Sequence, residues 1–406
     1  MHSRPLSGRR VVELGTMVAA PFATHILSQL GAEIIKVEPP TGDTTRALVR
    51  GGPSGTFIAY NHDKKSVSID LTKDEGRQAF YKLLATSDVL IHNLAPSAAK
   101  KLGVAAEDAA LANPNLIYCH IRGYAAGPLE DDLATNPVAE AATGVMADHV
   151  IDGRPSRLGP SYHDQFAGAF AVIRILSALM SAALSNAERR IEIGLYETGL
   201  HVAGRDLAGV QLKTQLLGRP EREGGGEFSM PGYGAYMTAD ERWIYLLVLT
   251  DAHWLKLAQA LDMTEAHDPE LGKLRQRKKQ RERVEAAVRT AVGALNFDAA
   301  TAKLRAAGVG FTEVMPVERV LENSQAHQPG KLRTFSYRGL NFETPEFPGQ
   351  SECEPGLPPP ELGEHTVAVL QSLGYSQAAC SALLQQGVLK EAAPGDFAWA
   401  LNKTST

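Results

Sequence analysis

Cysteine is scarce in this chain. Cys119, Cys353 and Cys380 are the three among 406 residues; they stand far apart and form no C-x-x-C pair. That speaks against a disulfide framework and a thiolate zinc site, and it fits a reducing compartment. Met1 to Arg10 lacks the apolar stretch of a secretory signal, so a cytoplasmic location is expected. An excess of positive charge is missing too. Lys and Arg number 41 against 46 Asp and Glu, a net −5. The overall field attracts neither nucleic acid nor an anionic membrane, and any anionic ligand must be held by local groups. The basic stretch Arg275–Arg283 has Glu282 and Glu285 as intrahelical partners and reads as a solvated helix face. The apolar run Phe166–Leu184 carries Arg174 in its middle, where a bilayer would penalise it, so it reads as a core helix and not a membrane span.

Catalytic motifs are also missing. Twelve histidines include no H-E-x-x-H, so no metal is expected, and there is no G-x-S-x-G elbow or P-loop. Glu38 ends a strand where a ribose-binding acid would sit, but the turn Gly15–Pro21 holds one glycine where a dinucleotide fingerprint needs three. A dinucleotide-binding oxidoreductase is therefore a distant alternative.

What is present is alternation. Short apolar strands at Arg10–Leu14, Glu33–Val37, Ser66–Leu71, Asp88–His92 and Leu116–Ile121 are separated by helical stretches, among them Pro21–Leu30 and Lys73–Ala85. This predicts an α/β fold with a doubly wound parallel sheet, Rossmann-like. Helices near 137–148 and 164–185 and a strand at Arg190–Gly194 follow. After Gly224-Gly225-Gly226 the pattern changes to a hairpin (Gly234–Thr238 and Trp243–Leu249) and helices near 251–261, 273–292, 298–307 and 316–323, with a strand near 311–314. The expected domains are 1–205, a smaller α+β unit at 225–325, and a segment 326–406 returning to the first. The triple glycine is either a plain linker or a mobile flap over a site.

Asp164 is the most informative residue. It follows Gly159-Pro160 at the head of the long apolar run, so its carboxylate falls in the first turn of a helix. Unpaired N–H groups and the helix dipole there favour the anion, which is expected at neutral pH. An anionic carboxylate either caps its helix or attacks an activated acyl group.

Several segments together resemble one family. They are Leu6–Leu14, Ala20-Pro21, Leu30–Pro39, Asn61 with Lys64–Val67, Asp70-Leu71, Asn93–Pro96, Ile191–Glu197 and Leu362–Thr366. The chain is similar, over nearly its whole length, to the family III CoA-transferases, which include formyl-CoA transferase, carnitine CoA-transferase and α-methylacyl-CoA racemase. The resemblance implies an interlocked homodimer and Asp164 as the catalytic residue. It implies CoA contacts from Met17, Ile69, Thr72, Lys73, Asn93, Leu94 and Lys101, with Lys73 and Lys101 pairing with phosphates. It places Gly224, Gly225 and Gly226 at the family's glycine flap. Racemases pair the aspartate with a histidine, where this chain has Thr135, so transfer is expected over 2-methylacyl-CoA racemisation. Pro39 and Pro40 follow Glu38 where some members have a basic adenine contact. Val18 stands where a glutamine can contact very small acids, which argues against oxalate and formate. Arg46 and Arg50, after a Gly-Asp turn, are candidates for holding a distal carboxylate, and Thr135-Asn136-Pro137 is similar to transferases for C4–C5 dicarboxylates such as succinate or mesaconate. The partners implied are an acyl-CoA and a carboxylic acid. CoA thioester is the substrate, no cofactor is permanently bound, and transfer within one molecule, of the mesaconyl-CoA type, is the alternative.

Overall fold

The computed structural model describes residues 4–49, 52–181, 184–218, 230–350 and 355–392. Arg50, Cys353 and the expected flap Gly224, Gly225 and Gly226 lie outside the described residues. Chain contacts divide the protein into two units, residues 1–205 with 328–406, and residues 206–327.

The larger unit is built on one sheet. Its strands are β1 (Arg10–Leu14), β2 (Glu33–Glu38), β3 (Lys65–Ile69), β4 (Val89–His92), β5 (Ile117–Arg122), β6 (Arg190–Gly194) and β7 (Leu389–Lys390). Among the described residues the order is β7-β3-β2-β1-β4-β5-β6. All pairs are parallel except β7 on β3, an antiparallel edge strand that sequence reading missed. Successive side chains point to opposite faces, so neighbours in one strand enter different cores. Val11, Ile34 and Ile91 join the core under helices α1 (Ala19–Gln29) and α3 (Tyr162–Met180). Val12, Ile35 and Leu90 join the core under Asp74–Leu84 and the C-terminal helices Thr366–Ser372 and Gln377–Gln385. Both faces are covered, which is why the strands are mostly apolar and their buried charges Glu13, Lys36 and Glu38 are paired.

The single helix expected near 137–148 is two, α2 (Asn136–Ala142) and Val145–Asp148, broken at Gly144 with φ +87°. Segment Leu332–Pro345 is a hairpin, Leu332–Tyr337 on Leu340–Pro345, for which sequence reading gave no element. Arg338 and Gly339 both have positive φ at its turn, and an x-Gly pair between apolar runs is the signal that would have found it. Among the described residues no helix is long and apolar enough to cross a membrane.

The smaller unit, by itself, carries the antiparallel order Gly310–Glu313, Trp243–Leu247, Gly234–Met237. Ile244 and Leu246 face inward onto Trp254, Leu257, Val284 and Val288. The basic stretch forms two helices, Leu274–Lys279 and Arg281–Gly293, and is not wholly solvated. Arg277 is buried, paired with Asp251 at 2.8 Å and bonded to the Leu271 carbonyl. Residues Val317–Glu322 form a 3₁₀ turn instead of the expected α-helix.

Candidate active site

In a doubly wound sheet ligands collect outside the C-terminal strand ends where the order reverses. Here that point lies between β1 and β4. The turn after β1 is clamped to the turn after β4: Thr16 N–H donates to Asn93 Oδ1 at 2.9 Å, and Asn93 Nδ2 donates to the Thr16 carbonyl at 2.8 Å. Leu94 N–H donates to His92 Nδ1, so the His92 proton sits on Nε2 and is given to Tyr118 Oη at 2.6 Å. His120 stacks on His92 at 4.2 Å and donates from Nε2 to the Leu94 carbonyl. Burial holds both imidazoles below their usual range, so they remain neutral supports of this turn.

A buried ionic network fixes the first turn from beneath. Glu13, at the end of β1, accepts from Lys36 Nζ at 2.8 Å and Lys64 Nζ at 2.7 Å. Lys36 also donates to the Gly15 carbonyl, and Lys64 to the Pro21 carbonyl and Thr24 Oγ1. Asp43 completes the set at 2.9 Å from Lys36. Burial pulls the Lys64 ammonium down to about 8, while its pairing with Glu13 opposes the fall. The same network grips both ends of the turn and holds Met17 at φ +63°, a left-handed conformation costly to a non-glycine residue. A Cβ at Gly15 would stand 2.7 Å from Ala20 Cβ, so only glycine lets the chain enter α1 this tightly.

Asp164 lies in the first turn of α3, half-buried. Ser161 gives this helix no side-chain cap. Asn136, at the start of α2, supplies it from outside. Its Oδ1 accepts from His163 N–H at 2.9 Å and Asp164 N–H at 3.4 Å, and its Nδ2 donates to the buried Glu140 at 2.5 Å. Two corrections follow. The first-turn amides are engaged, by Asn136 and by Ser161, whose carbonyl accepts from Gln165 N–H; an oxyanion formed at Asp164 finds no spare donor there. The carboxyl is also pushed away from the anion, not toward it, although it stays mostly ionised at neutral pH. Desolvation outweighs the Arg157 charge, and Glu140 adds to it, raising the Asp164 pKa to about 6. His163 turns inward, with Nε2 at 3.2 Å from Thr143 Oγ1, and burial lowers its pKa, which keeps the ring neutral and packed.

Two cavities flank the clamped turns. The more polar one, of about 350 Å³, is lined by Met17, Asn93, Thr135, Asn136 and Asp164, with Arg122 and Arg157. An apolar one of about 170 Å³ is lined by Val37, Ile69, Leu71, Thr72, Leu94 and Leu102. Five of the seven expected CoA contacts thus line one cavity or the other. Lys73 and Lys101 line neither. Lys73 Nζ donates to the Gln386 carbonyl at 2.7 Å, and Lys101 is exposed on Pro96–Leu102, the helix that lends Leu102 to the apolar cavity.

Arg46 is not free for a substrate. It donates from Nε and Nη2 to Glu38 at 2.7 and 2.6 Å, bonds the Pro360 carbonyl, and covers the Phe57 ring. Glu38, buried at the end of β2, needs that counter-charge. Its oxygens also accept from Ser66 Oγ and Asp43 N–H, which fills four acceptor sites and leaves none for a ribose. Arg157 is the residue sequence reading missed. It lines the polar cavity, and no local motif marks it.

The family model for CoA-transferase family III matches residues 6–366. The chain is 28% identical over 390 residues to the (R)-2-hydroxy-4-methylpentanoate CoA-transferase of Clostridioides difficile, covering 92% of this chain and 96% of that protein. It is 32% identical over 303 residues to the succinyl-CoA–L-malate CoA-transferase alpha subunit of Chloroflexus aurantiacus, covering 72% and 70%. A crystal structure of a CaiB/BaiF family protein from Brucella suis superposes with TM-score 0.78 at 27% identity, over 92% of this chain and all of that one. The protein belongs to CoA-transferase family III and is an enzyme of that class.

Proposed function

We propose that Asp164 is the nucleophile of a CoA transfer between two carboxylic acids, carried through enzyme-bound acyl intermediates. The supporting observation is a half-buried carboxylate on the wall of a polar cavity at the topological switch point, held by Asn136. A carboxylate oxygen of Asp164 attacks the thioester carbonyl of the donor. The C–S bond breaks, leaving an acyl-aspartyl anhydride and CoA thiolate. The thiolate then attacks the aspartyl carbonyl, the donor acid leaves as its carboxylate, and an aspartyl-CoA thioester remains. The acceptor carboxylate attacks that thioester, and the thiolate returns to the acceptor's acyl carbon. Asp164 is regenerated, bonds balance, and no external energy source is consumed.

In this reading the CoA adenine lies against Ile69, Leu94 and Leu102 in the apolar cavity, and the thioester reaches past Met17 and Asn93 into the polar one. A racemase needs two acid–base groups on opposite sides of an α-carbon. Among the described residues the titratable groups lining the polar cavity are Asp164, Arg122 and Arg157, and Thr135 is no base. This favours transfer. The Chloroflexus relative is named for succinyl-CoA and malate, both dicarboxylic, which supports a C4–C5 dicarboxylate. We read the working form as a homodimer in the cytoplasm.

Asp164→Asn removes the attacking oxygen but keeps the shape. It should lower transfer from an acyl-CoA donor to a carboxylate acceptor by about 10³-fold or more while retaining CoA binding. Substantial turnover by the variant would refute this mechanism.

A further inference from the structure

Two guanidinium groups line the polar cavity, and their circumstances differ. Arg122 is engaged, with Glu192 at 2.5 Å and with the Glu130 carbonyl. Arg157 has no ion-pair or hydrogen-bond partner among the described residues, although it stands close enough to Asp164 to act on its charge. Its backbone, in contrast, is fixed on both sides. Ser156 N–H donates to the His149 carbonyl at 2.7 Å, and His149 Nδ1 meets the Ser156 carbonyl at 3.0 Å. Leu158 N–H donates to Glu140 Oε2 at 3.3 Å. Glu140 in turn holds Asn136, which caps the helix of Asp164. One pair of buried side chains therefore sets both the nucleophile and the loop that carries the free guanidinium.

We propose that Arg157 binds the distal carboxylate of a dicarboxylic acyl group and so selects dicarboxylates over monocarboxylates of equal length. This rests on the reading of the cavity as the acyl-transfer site. One carboxyl of the substrate, as its thioester, meets Asp164. The other remains an anion in a cavity whose remaining lining charges are Asp164 itself and an already paired Arg122. A planar guanidinium receives a carboxylate through two parallel N–H···O bonds, which a lysine ammonium does not reproduce. Arg46 is locked to Glu38, so Arg157 takes the role first considered for that arginine.

The test is isotope exchange, in which one acid is both donor and acceptor. Full-length enzyme is given succinyl-CoA with labelled succinate, or butyryl-CoA with labelled butyrate, and kcat/KM for label entering the thioester is measured. Wild type should favour succinate. Arg157→Gln should lower the succinate-to-butyrate ratio by roughly 10- to 100-fold, the scale of a lost charge-assisted pair. Arg157→Lys should keep an intermediate ratio, which also shows that the loop still folds. Any change that Arg157 makes in the protonation of Asp164 affects both acids alike and cancels from the ratio. A ratio unchanged in Arg157→Gln, or a wild type that prefers butyrate, would overturn the assignment while leaving CoA transfer intact. Exchange of neither acid by wild type would instead overturn the transfer reading itself.

Discussion

Asp164 is under opposing influences. Burial and Glu140 favour its protonated form, and Arg157 favours the anion that the proposed attack needs. With its pKa raised to about 6, the reactive fraction falls as pH drops through that value. The pH profile of kcat/KM should therefore show an acid limb near 6, with activity at pH 5 about tenfold below the plateau. Full activity down to pH 4.5 would mean an ordinary carboxylate and contradict the environment described. The raised value also means that the folded state binds this proton more tightly than the unfolded chain. Stability is then lost as pH rises from about 4 to about 6. Asp164→Asn, which cannot ionise, should be more stable than wild type at pH 7, on the order of 1–2 kcal/mol after allowing for solvent screening of a half-buried group. The position of Asp164 at a helix start was legible from Gly159-Pro160 and the apolar run behind it. The direction of its pKa was not, because the burial, Glu140 and the Asn136 cap all come from tertiary packing.

Among the elements, the contact of α1 with α3 places Asp164 beside the turn that follows β1. Gly168, one turn past Asp164 on α3, makes that approach possible: a Cβ there would stand 2.7 Å from the Ala19 carbonyl oxygen and 3.0 Å from the Phe22 ring. Gly168→Ala should push the helices apart, costing about 1–3 kcal/mol in urea denaturation and lowering kcat. Unchanged stability would show that the two helices can slide without loss. The C-terminal signature Leu362–Thr366 has an equally local cause. Gly363 N–H donates to Ser66 Oγ, His365 N–H to the Ser66 carbonyl, and Thr366 Oγ1 accepts from Ser68 N–H. It thus meets the outer edge of β3 next to β7, and a Cβ at Gly363 would meet the Lys390 carbonyl at 2.3 Å. The parallel strands were legible because each is a short apolar run closed by a turn. The edge strand Leu389–Lys390 was not, since two residues have no period and its pairing is set by β3, some 320 positions earlier.

At the scale of the whole molecule, the helix Gly204–Leu217 buries none of its residues, and Leu212 and Leu216 are 58% and 73% exposed. Ile173 and Met180 on α3 are exposed at 60% and 86%. A helix of 14 residues without packing is marginal in water, so a second copy is expected to cover it, and the exposed α3 side chains of the larger unit are, separately, expected to be covered in the same way. Light scattering at micromolar concentration should give twice the chain mass, and a monomer would contradict it. The proposed transfer depends on one covalent event at Asp164. The direct measurement is to mix the protein with succinyl-CoA, quench with hydroxylamine and read the peptide containing residue 164 by mass spectrometry, with Asp164→Asn alongside. Wild type should carry a hydroxamate on Asp164 and the variant none. An unmodified Asp164 in an enzyme that is turning over, or a label on another residue, would contradict this mechanism.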